Sequence, residues 1–252
     1  MQGVDTSLTL FALIASPNNE ALVDTTSCSA VLTNWSPQES LNPAHFDRSV
    51  HTDTRGADWR GLNLGSQDFS NTRLCRVDLR GSILAETCLN GADLRLARYD
   101  KKTIWPEGFD YRNSGAIGPK AILNGGFLNS ADLSGMDLEG CSLMGSHLSG
   151  ANMNGACLMD VRFFGADLRY ALLRGALCKG ARFSGCQLDY ADFRWADLAN
   201  TDLNSAETIG GADFTEATDL GQMRAALLGR HYKELDNWNP ITRRTTRDSL
   251  AC

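Results

Sequence analysis

The sequence predicts an all-β solenoid in which the chain turns a right angle every five residues. Three observations predict it. From about Asp58 to Phe214 an apolar residue recurs at every fifth position, a small residue, most often Ala, stands two places before it, and the other three places are polar, charged or Gly. The clearest run reads Ala131-Asp132-Leu133-Ser134-Gly135, Met136-Asp137-Leu138-Glu139-Gly140, Cys141-Ser142-Leu143-Met144-Gly145. An α-helix is excluded, because residues five apart fall about 140° from each other around a 3.6-residue turn. A flat strand is excluded too, because an odd spacing alternates faces. A square coil of four repeats points every central and small residue inward, and such coils stack at about 4.8 Å through backbone hydrogen bonds.

The elements follow in chain order. Residues 1–50 lie outside the period and are expected to form an irregular N-terminal capping segment, because a solenoid must cover its open ends. Within them Leu8-Thr9-Leu10-Phe11-Ala12-Leu13-Ile14-Ala15 has the apolar character of a secretion signal, but no Lys or Arg occurs before Arg48. A cytoplasmic location is therefore expected; the alternative is the periplasm or thylakoid lumen if residues 1–16 act as a signal.

Residues 51–100 form the first repeat block, with centres Leu64, Phe69, Leu74, Leu79, Leu84, Leu89, Leu94 and Tyr99. Residues 101–120 break the period. Pro106, Pro119 and their glycines read as a loop insertion, too rich in turn formers to be another coil. Its Trp105, Phe109 and Tyr111 either fold back on the solenoid or project toward a partner. Residues 121–216 form the second block, centred every five residues from Leu123 to Leu203, with Met153, Phe163, Cys178, Phe183 and Phe193 the non-leucine centres. An extra residue disturbs the register after Phe214. Residues 217–230 read as a C-terminal capping helix from Asp219 to Gly229, N-capped by Thr218 or Asp219, which lays Leu220, Met223, Leu227 and Leu228 over the open end. Residues 231–252 are expected to be a mobile tail.

The pattern Ala-Asp/Asn-Leu followed by two variable residues resembles the pentapeptide-repeat family over about 140 residues. That resemblance implies a right-handed quadrilateral β-helix, here of about seven coils and about 30 Å long. The insertion, with Pro106-Glu107-Gly108-Phe109-Asp110, is similar to those of cyanobacterial members.

Bulk composition leaves the body neutral. The 252 residues carry a formal charge of −6, yet residues 51–200 hold 17 acids and 17 bases, the imbalance lying partly in residues 1–50 with five acids and one base. No apolar run approaches the roughly 18 residues that span a bilayer. The eight cysteines include Cys141, Cys178 and Cys186 at inward positions, where a thiol serves as a small core residue, and reduced thiols are expected. None of the four histidines (His45, His51, His147, His231) has ligand spacing to a Cys or another His.

Catalysis needs matched groups gathered in a cleft, and no phosphate loop, nucleophile elbow or metal triad is present. The expectation is no enzyme, no catalytic residue, no metal and no cofactor. The aspartates before the centres (Asp58, Asp68, Asp78, Asp93, Asp132, Asp137, Asp167, Asp192, Asp197, Asp202) are expected to bond backbone N–H groups at the corners, as Asx turns do. Residues 20 apart should stack on one face, so Tyr170 lies on Tyr190, with Trp195 one corner on. Around them Cys157, Met159, Phe164, Leu172 and Leu177 stand at outward places, a candidate apolar patch edged by Arg162 and Arg182.

The expected function is a non-enzymatic scaffold whose faces and aromatic loop meet an unidentified protein partner or a second copy of the chain in a homodimer, with no membrane or direct nucleic-acid contact. The resemblance implies an alternative, a DNA-mimicking protein that binds and protects topoisomerase (gyrase). Mimicry requires rows of carboxylates, whereas a face such as Asp132, Asn152, Leu172, Asp192 is mixed.

Overall fold

The computed structural model describes residues 54–251. The capping segment expected for residues 1–50 and the apolar stretch Leu8 to Ala15 lie outside the described residues.

Each repeat contributes a short extended face and a tight corner. At the corners the amide two places before a centre donates to the previous centre's carbonyl, as in Ala151 N to Leu148 O (2.9 Å) and Ala166 N to Phe163 O (2.7 Å). This i to i+3 closure is that of a β-turn. The last corner residue often takes the left-handed region, where Gly135 has φ 63°. Along the faces the bonds run between coils: Asn152 N donates to Ala131 O (2.9 Å) and Leu133 N to Asn152 O (2.7 Å).

Four ladders of parallel bridges result. The first face carries Asp58, Asp78, Arg98 and Ile117, then Asp137, Cys157, Leu177, Asp197 and Thr218. The second carries Asn63, Ile83 and Ile104, then Ile122, Ser142, Arg162 and Arg182. The third carries Asp68 and Cys88, then Phe127, His147, Asp167, Gln187 and Thr208; the fourth carries Arg73 and Asp93, then Asp132, Asn152, Leu172, Asp192 and Asp213. The quadrilateral β-helix expected from the period is therefore present.

The centres fill the bore. Phe69, Leu79, Phe163, Phe183 and Phe193 are fully buried, and so are the small positions Ala151, Ala171 and Ala191. Aromatic centres stack along the axis, Phe163 on Phe183 at 5.2 Å and Phe193 on Phe214 at 5.3 Å. Cys141, Cys178 and Cys186 lie in this core as small side chains.

The insertion is shorter than the sequence reading made it. Ile104 pairs with Ile83 and Ile117 with Arg98, so both ends of 101–120 belong to the coil, and only the stretch between them leaves it. The register changes because Ile104 comes 21 residues after Ile83, whereas Ile117 comes 19 after Arg98. Gly118 takes what would be a centre. A Cβ there would sit 2.6 Å from the Tyr99 carbonyl oxygen and 2.8 Å from its ring, so Tyr99 fills the space a leucine would occupy.

The C-terminal end differs from expectation in three respects. The extra residue enters earlier than Phe214, at the 3-10 turn Leu203–Ser205, after which Thr208 pairs with Gln187. Helix α1 is Met223–Leu228, with Gln222 at its N-cap, because Thr218 is held in the ladder by Asp197. Gly229 ends it, as expected. The tail is folded rather than loose: α2 (Tyr232–Leu235), the antiparallel pair β1 (Trp238–Asn239) and β2 (Arg244–Thr245), and α3 (Thr246–Leu250) follow in order. Leu220, Leu227, Leu235 and Leu250 are buried, and Thr245 and Asp248 close a capping box on α3. Polar groups of the tail bond the last coil's backbone: Asn239 Nδ2 donates to Gly211 O (2.7 Å), and Phe214 N to Ser249 Oγ (3.1 Å).

Candidate partner-binding surfaces

The corner aspartates behave as the Asx reading requires. Asp58, Asp68, Asp78, Asp93, Asp132, Asp137, Asp167, Asp192 and Asp197 each accept from the backbone N–H two residues on. Asp202 accepts instead from Phe183 N. Five of them also take a two-point ion pair from an arginine two residues on, in Asp58-Trp59-Arg60, Asp78-Leu79-Arg80, Asp93-Leu94-Arg95, Asp167-Leu168-Arg169 and Asp192-Phe193-Arg194. That Asp-x-Arg motif stood in the sequence and went unread. It neutralises the carboxylates where they are displayed. The Arg95 hydrogen bond, working against burial, holds the Asp93 carboxyl down at about 2.

The insertion's aromatics pack inward. The Trp105 ring stacks on Tyr111 (5.7 Å, 2° between planes) and Phe109 (5.5 Å, 29°) and meets Tyr99 edge-on at 5.4 Å. All three loop rings are half-buried against the core. The Tyr99 hydroxyl donates to Pro119 O (2.8 Å), and burial raises its pKa far above the usual phenol value. Between Ile104 and Lys120 this cluster leaves an open cleft of about 670 Å3, rimmed by Lys101, Lys120 and Glu139. Lys101 Nζ sits 2.5 Å from Glu139 Oε2 and 3.1 Å from Asp137 Oδ2. Asp137, Glu139 and Cys157 could by spacing hold a metal, since their ligand atoms lie within 4.8 Å of one another; the Lys101 ammonium already occupies their charge.

The apolar patch expected on the solenoid divides. Tyr170 and Tyr190, at the edge between the third and fourth faces, stack at 4.9 Å with planes 5° apart. Both hold φ near 60° in the corner position where glycine is commoner. The next residue in the row is Gly211, where a Cβ would fall 2.6 Å from the Tyr190 ring. Asn237 Nδ2 in the tail donates to the Tyr190 hydroxyl at 3.3 Å, so the tail partly covers Tyr190 and leaves Tyr170 open. On the fourth face Leu172 is half-buried between Asn152 and Asp192. At the next edge Trp195 is exposed, with the Arg174 guanidinium 4.2 Å over its ring. Leu177 is exposed on the first face between Cys157 and Asp197.

Tyr170, Tyr190, Leu172, Trp195 and Leu177 thus wrap one side of the helix continuously. Phe164 does not join them: it stands at the edge between the second and third faces, diagonally across from Trp195. Met144 stands at the same edge one coil before it, and the exposed Ile83, Ile104 and Ile122 belong to the second face in earlier coils; sequence reasoning passed over all four. Their signal was an apolar residue at an outward place, the same signal used for Leu172. No helix of the described residues is long and apolar enough to cross a membrane.

A model of pentapeptide repeats matches residues 60–95, 128–165 and 163–204, in eight copies. Among solved structures, a pentapeptide repeat protein from the Arabidopsis thaliana thylakoid lumen is 32% identical, over 52% of this chain and 87% of that one, with a TM-score of 0.47. HetL, a pentapeptide repeat protein involved in heterocyst differentiation regulation in the cyanobacterium Nostoc sp. strain PCC 7120, is 25% identical over 67% and 92% of the two chains, with a TM-score of 0.20. QnrB1, a plasmid-mediated fluoroquinolone resistance protein, is 18% identical over 66% and 84%, with a TM-score of 0.25. No curated protein matches the sequence.

Proposed function

The chain belongs to the pentapeptide-repeat family, and from that premise we propose that it is a non-enzymatic scaffold that binds a protein partner through the side formed by Tyr170, Tyr190, Leu172, Trp195 and Leu177. The observation that carries this reading is the pre-ordered aromatic edge: Tyr170, stacked on the half-buried Tyr190, and Trp195 under Arg174 are exposed yet fixed by their own neighbours. Side chains already held in one arrangement lose little entropy on association, and Tyr, Trp and Arg are the residues on which interface energies concentrate. A bore filled by Leu and Phe offers no enclosed space for a reaction.

The test is affinity capture from extracts of the source organism with the wild type and with Leu177→Lys plus Trp195→Ala. One specific partner bound by the wild type and lost by the variant is the expected result. Equal recovery with both proteins would remove this side from the reading.

The topoisomerase-binding alternative has weaker support. A phosphate mimic displays unpaired negative charge, but five of the ten corner aspartates carry their own arginine. Addition of micromolar protein to a gyrase supercoiling reaction is expected to leave the rate unchanged; inhibition or protection would revive the alternative.

A further inference from the structure

The second-face ladder is interrupted, and the interruption is where the cleft of the insertion opens. Ile104 N donates to Ser82 O (2.9 Å) and Leu84 N to Ile104 O (2.7 Å), the two bonds that each bridged rung of this face repeats. One coil on, the equivalent groups are Thr103 O and Trp105 N, and among the described residues neither makes a hydrogen bond. No bridge joins Ile104 to Ile122, whose N–H goes to Arg112 O in the insertion (2.8 Å). The corner beside this rung is open as well. Where Gly61 N donates to Arg80 O (3.0 Å) and Lys120 N to Glu139 O (2.8 Å), the corner at Lys101 sends no backbone bond to Pro119, whose carbonyl takes the Tyr99 hydroxyl instead (2.8 Å).

An unpaired strand edge is a template for another extended chain. In strand addition the main-chain bonds supply affinity, and the side chains that alternate along the added segment supply specificity. Here the edge lies within a cleft of about 670 Å3 whose apolar wall includes Ile104, Trp105, Pro106 and Phe109. Alternate side chains of an added segment would meet that wall, and the others the charged rim.

The rim selects the charge of the segment. Its carboxylates already have partners: Asp100 Oδ1 accepts from the backbone N–H groups of Gly81 (2.9 Å), Lys102 (2.9 Å) and Thr103 (3.0 Å), and Glu139 shares the Lys101 ammonium with Asp137. Lys120 on the rim and Lys102 next to Lys101 are exposed, and among the described residues neither makes an ion pair. We propose that this cleft is a strand-addition site for an extended, acidic segment of a second protein. Its backbone bonds the Thr103 carbonyl and the Trp105 N–H, its apolar side chains lie against Trp105 and Phe109, and a carboxylate meets Lys120. The site uses none of the residues assigned to the partner above, so the rod would hold two different proteins at once.

Fluorescence anisotropy tests this with a labelled, terminally blocked Glu-Val-Glu-Val-Glu-Val-Glu peptide titrated with the full chain. Two control peptides carry the same label: one has Lys in place of each Glu, and the other has N-methylated valines, which cannot donate from the backbone. The acidic peptide is expected to bind and both controls to bind at least about tenfold more weakly. Lys120→Glu should weaken the acidic peptide by a similar factor and Lys120→Arg should retain it, with circular dichroism confirming the fold of each variant. No binding of the acidic peptide overturns the proposal. Binding indifferent to N-methylation overturns strand addition, and binding indifferent to Lys120→Glu places the peptide elsewhere. Leu177→Lys plus Trp195→Ala is expected to leave peptide binding intact, so failure of this site and failure of the partner-binding side are separate results.

Discussion

Arg95 grips Asp93, two residues before it, at both carboxylate oxygens, with Nε 2.9 Å from Oδ1 and an Nη 2.7 Å from Oδ2. The pair lowers the Asp93 pKa from the usual 3.8 to about 2, and Arg60 and Arg169 act in the same direction on Asp58 and Asp167. A carboxyl whose folded-state value lies below its unfolded value contributes stability that is present above the unfolded value and lost as pH falls through the folded one. The helix is therefore expected to hold its melting temperature from neutral pH down to about 4 and to lose it progressively toward pH 2. Thermal scans at stepped pH check this; a melting temperature that rises on acidification contradicts the sign.

Phe183 stacks on Phe163 at 5.2 Å and meets Phe193 edge-on at 5.7 Å, all three fully buried. Neighbouring coils cannot collapse into a vacated bore position, because their backbones are held at strand spacing. Phe183→Ala is expected to cost about 3–5 kcal/mol, read from denaturant midpoints. Phe183→Leu, which restores the commonest centre residue, is expected to cost much less.

Trp105 touches Tyr99, Phe109 and Tyr111 and is half-buried. Trp105→Ala removes the middle of that cluster and should destabilise the protein by about 3 kcal/mol while leaving partner recovery unchanged. Loss of the partner at unchanged stability would return the insertion to a contact role.

The period made the interior legible. Every centre assigned in Leu64 to Tyr99 is buried, and the Tyr170–Tyr190 stack follows from a spacing of 20 alone. The surface was less legible, for a geometrical reason. A residue's face is known only by counting through the chain, and the count fails where coils of 21 and 19 residues adjoin at Ile104 and Ile117. Ile83 and Ile104 on one side of that break therefore could not be aligned with Ile122 on the other. Phe164 was grouped with Leu172 because both point outward, although a corner stands between them. The Asp-x-Arg motif was visible, but its effect depends on a turn that returns the arginine to its own repeat's carboxylate.

Burial sorts the thiols. Desolvation pushes Cys141 and Cys186 up to about 12, and Cys178, with no exposed surface, higher still. Because the thiolate is the reacting species, these three should resist a maleimide in the folded protein and label only after unfolding. Among the described cysteines, Cys88 and Cys157 are half-buried and should label first. Peptide mapping after timed labelling checks the order, and early modification of Cys178 would place it outside the core.

The tail carries the last prediction, since nothing in its composition announced a cap. Beyond Trp238 the cap adds the fully buried Leu250 and three hydrogen-bonding side chains, Asn239 on the Gly211 carbonyl, Thr246 on the Ile209 carbonyl at 3.1 Å, and Ser249 on the Phe214 amide. Those backbone groups belong to the final coil, which has no further coil to bond. Removing the tail leaves them to water and bares Phe214, as an uncapped solenoid end would. Leu250→Ala is expected to cost about 2–5 kcal/mol. Truncation after Trp238 is expected to lower the melting temperature more than that substitution does and to promote aggregation through the opened end. A truncated protein that melts with the wild type would show the residues after Trp238 to be dispensable and would assign closure of that end to Leu220, Leu227 and Leu235.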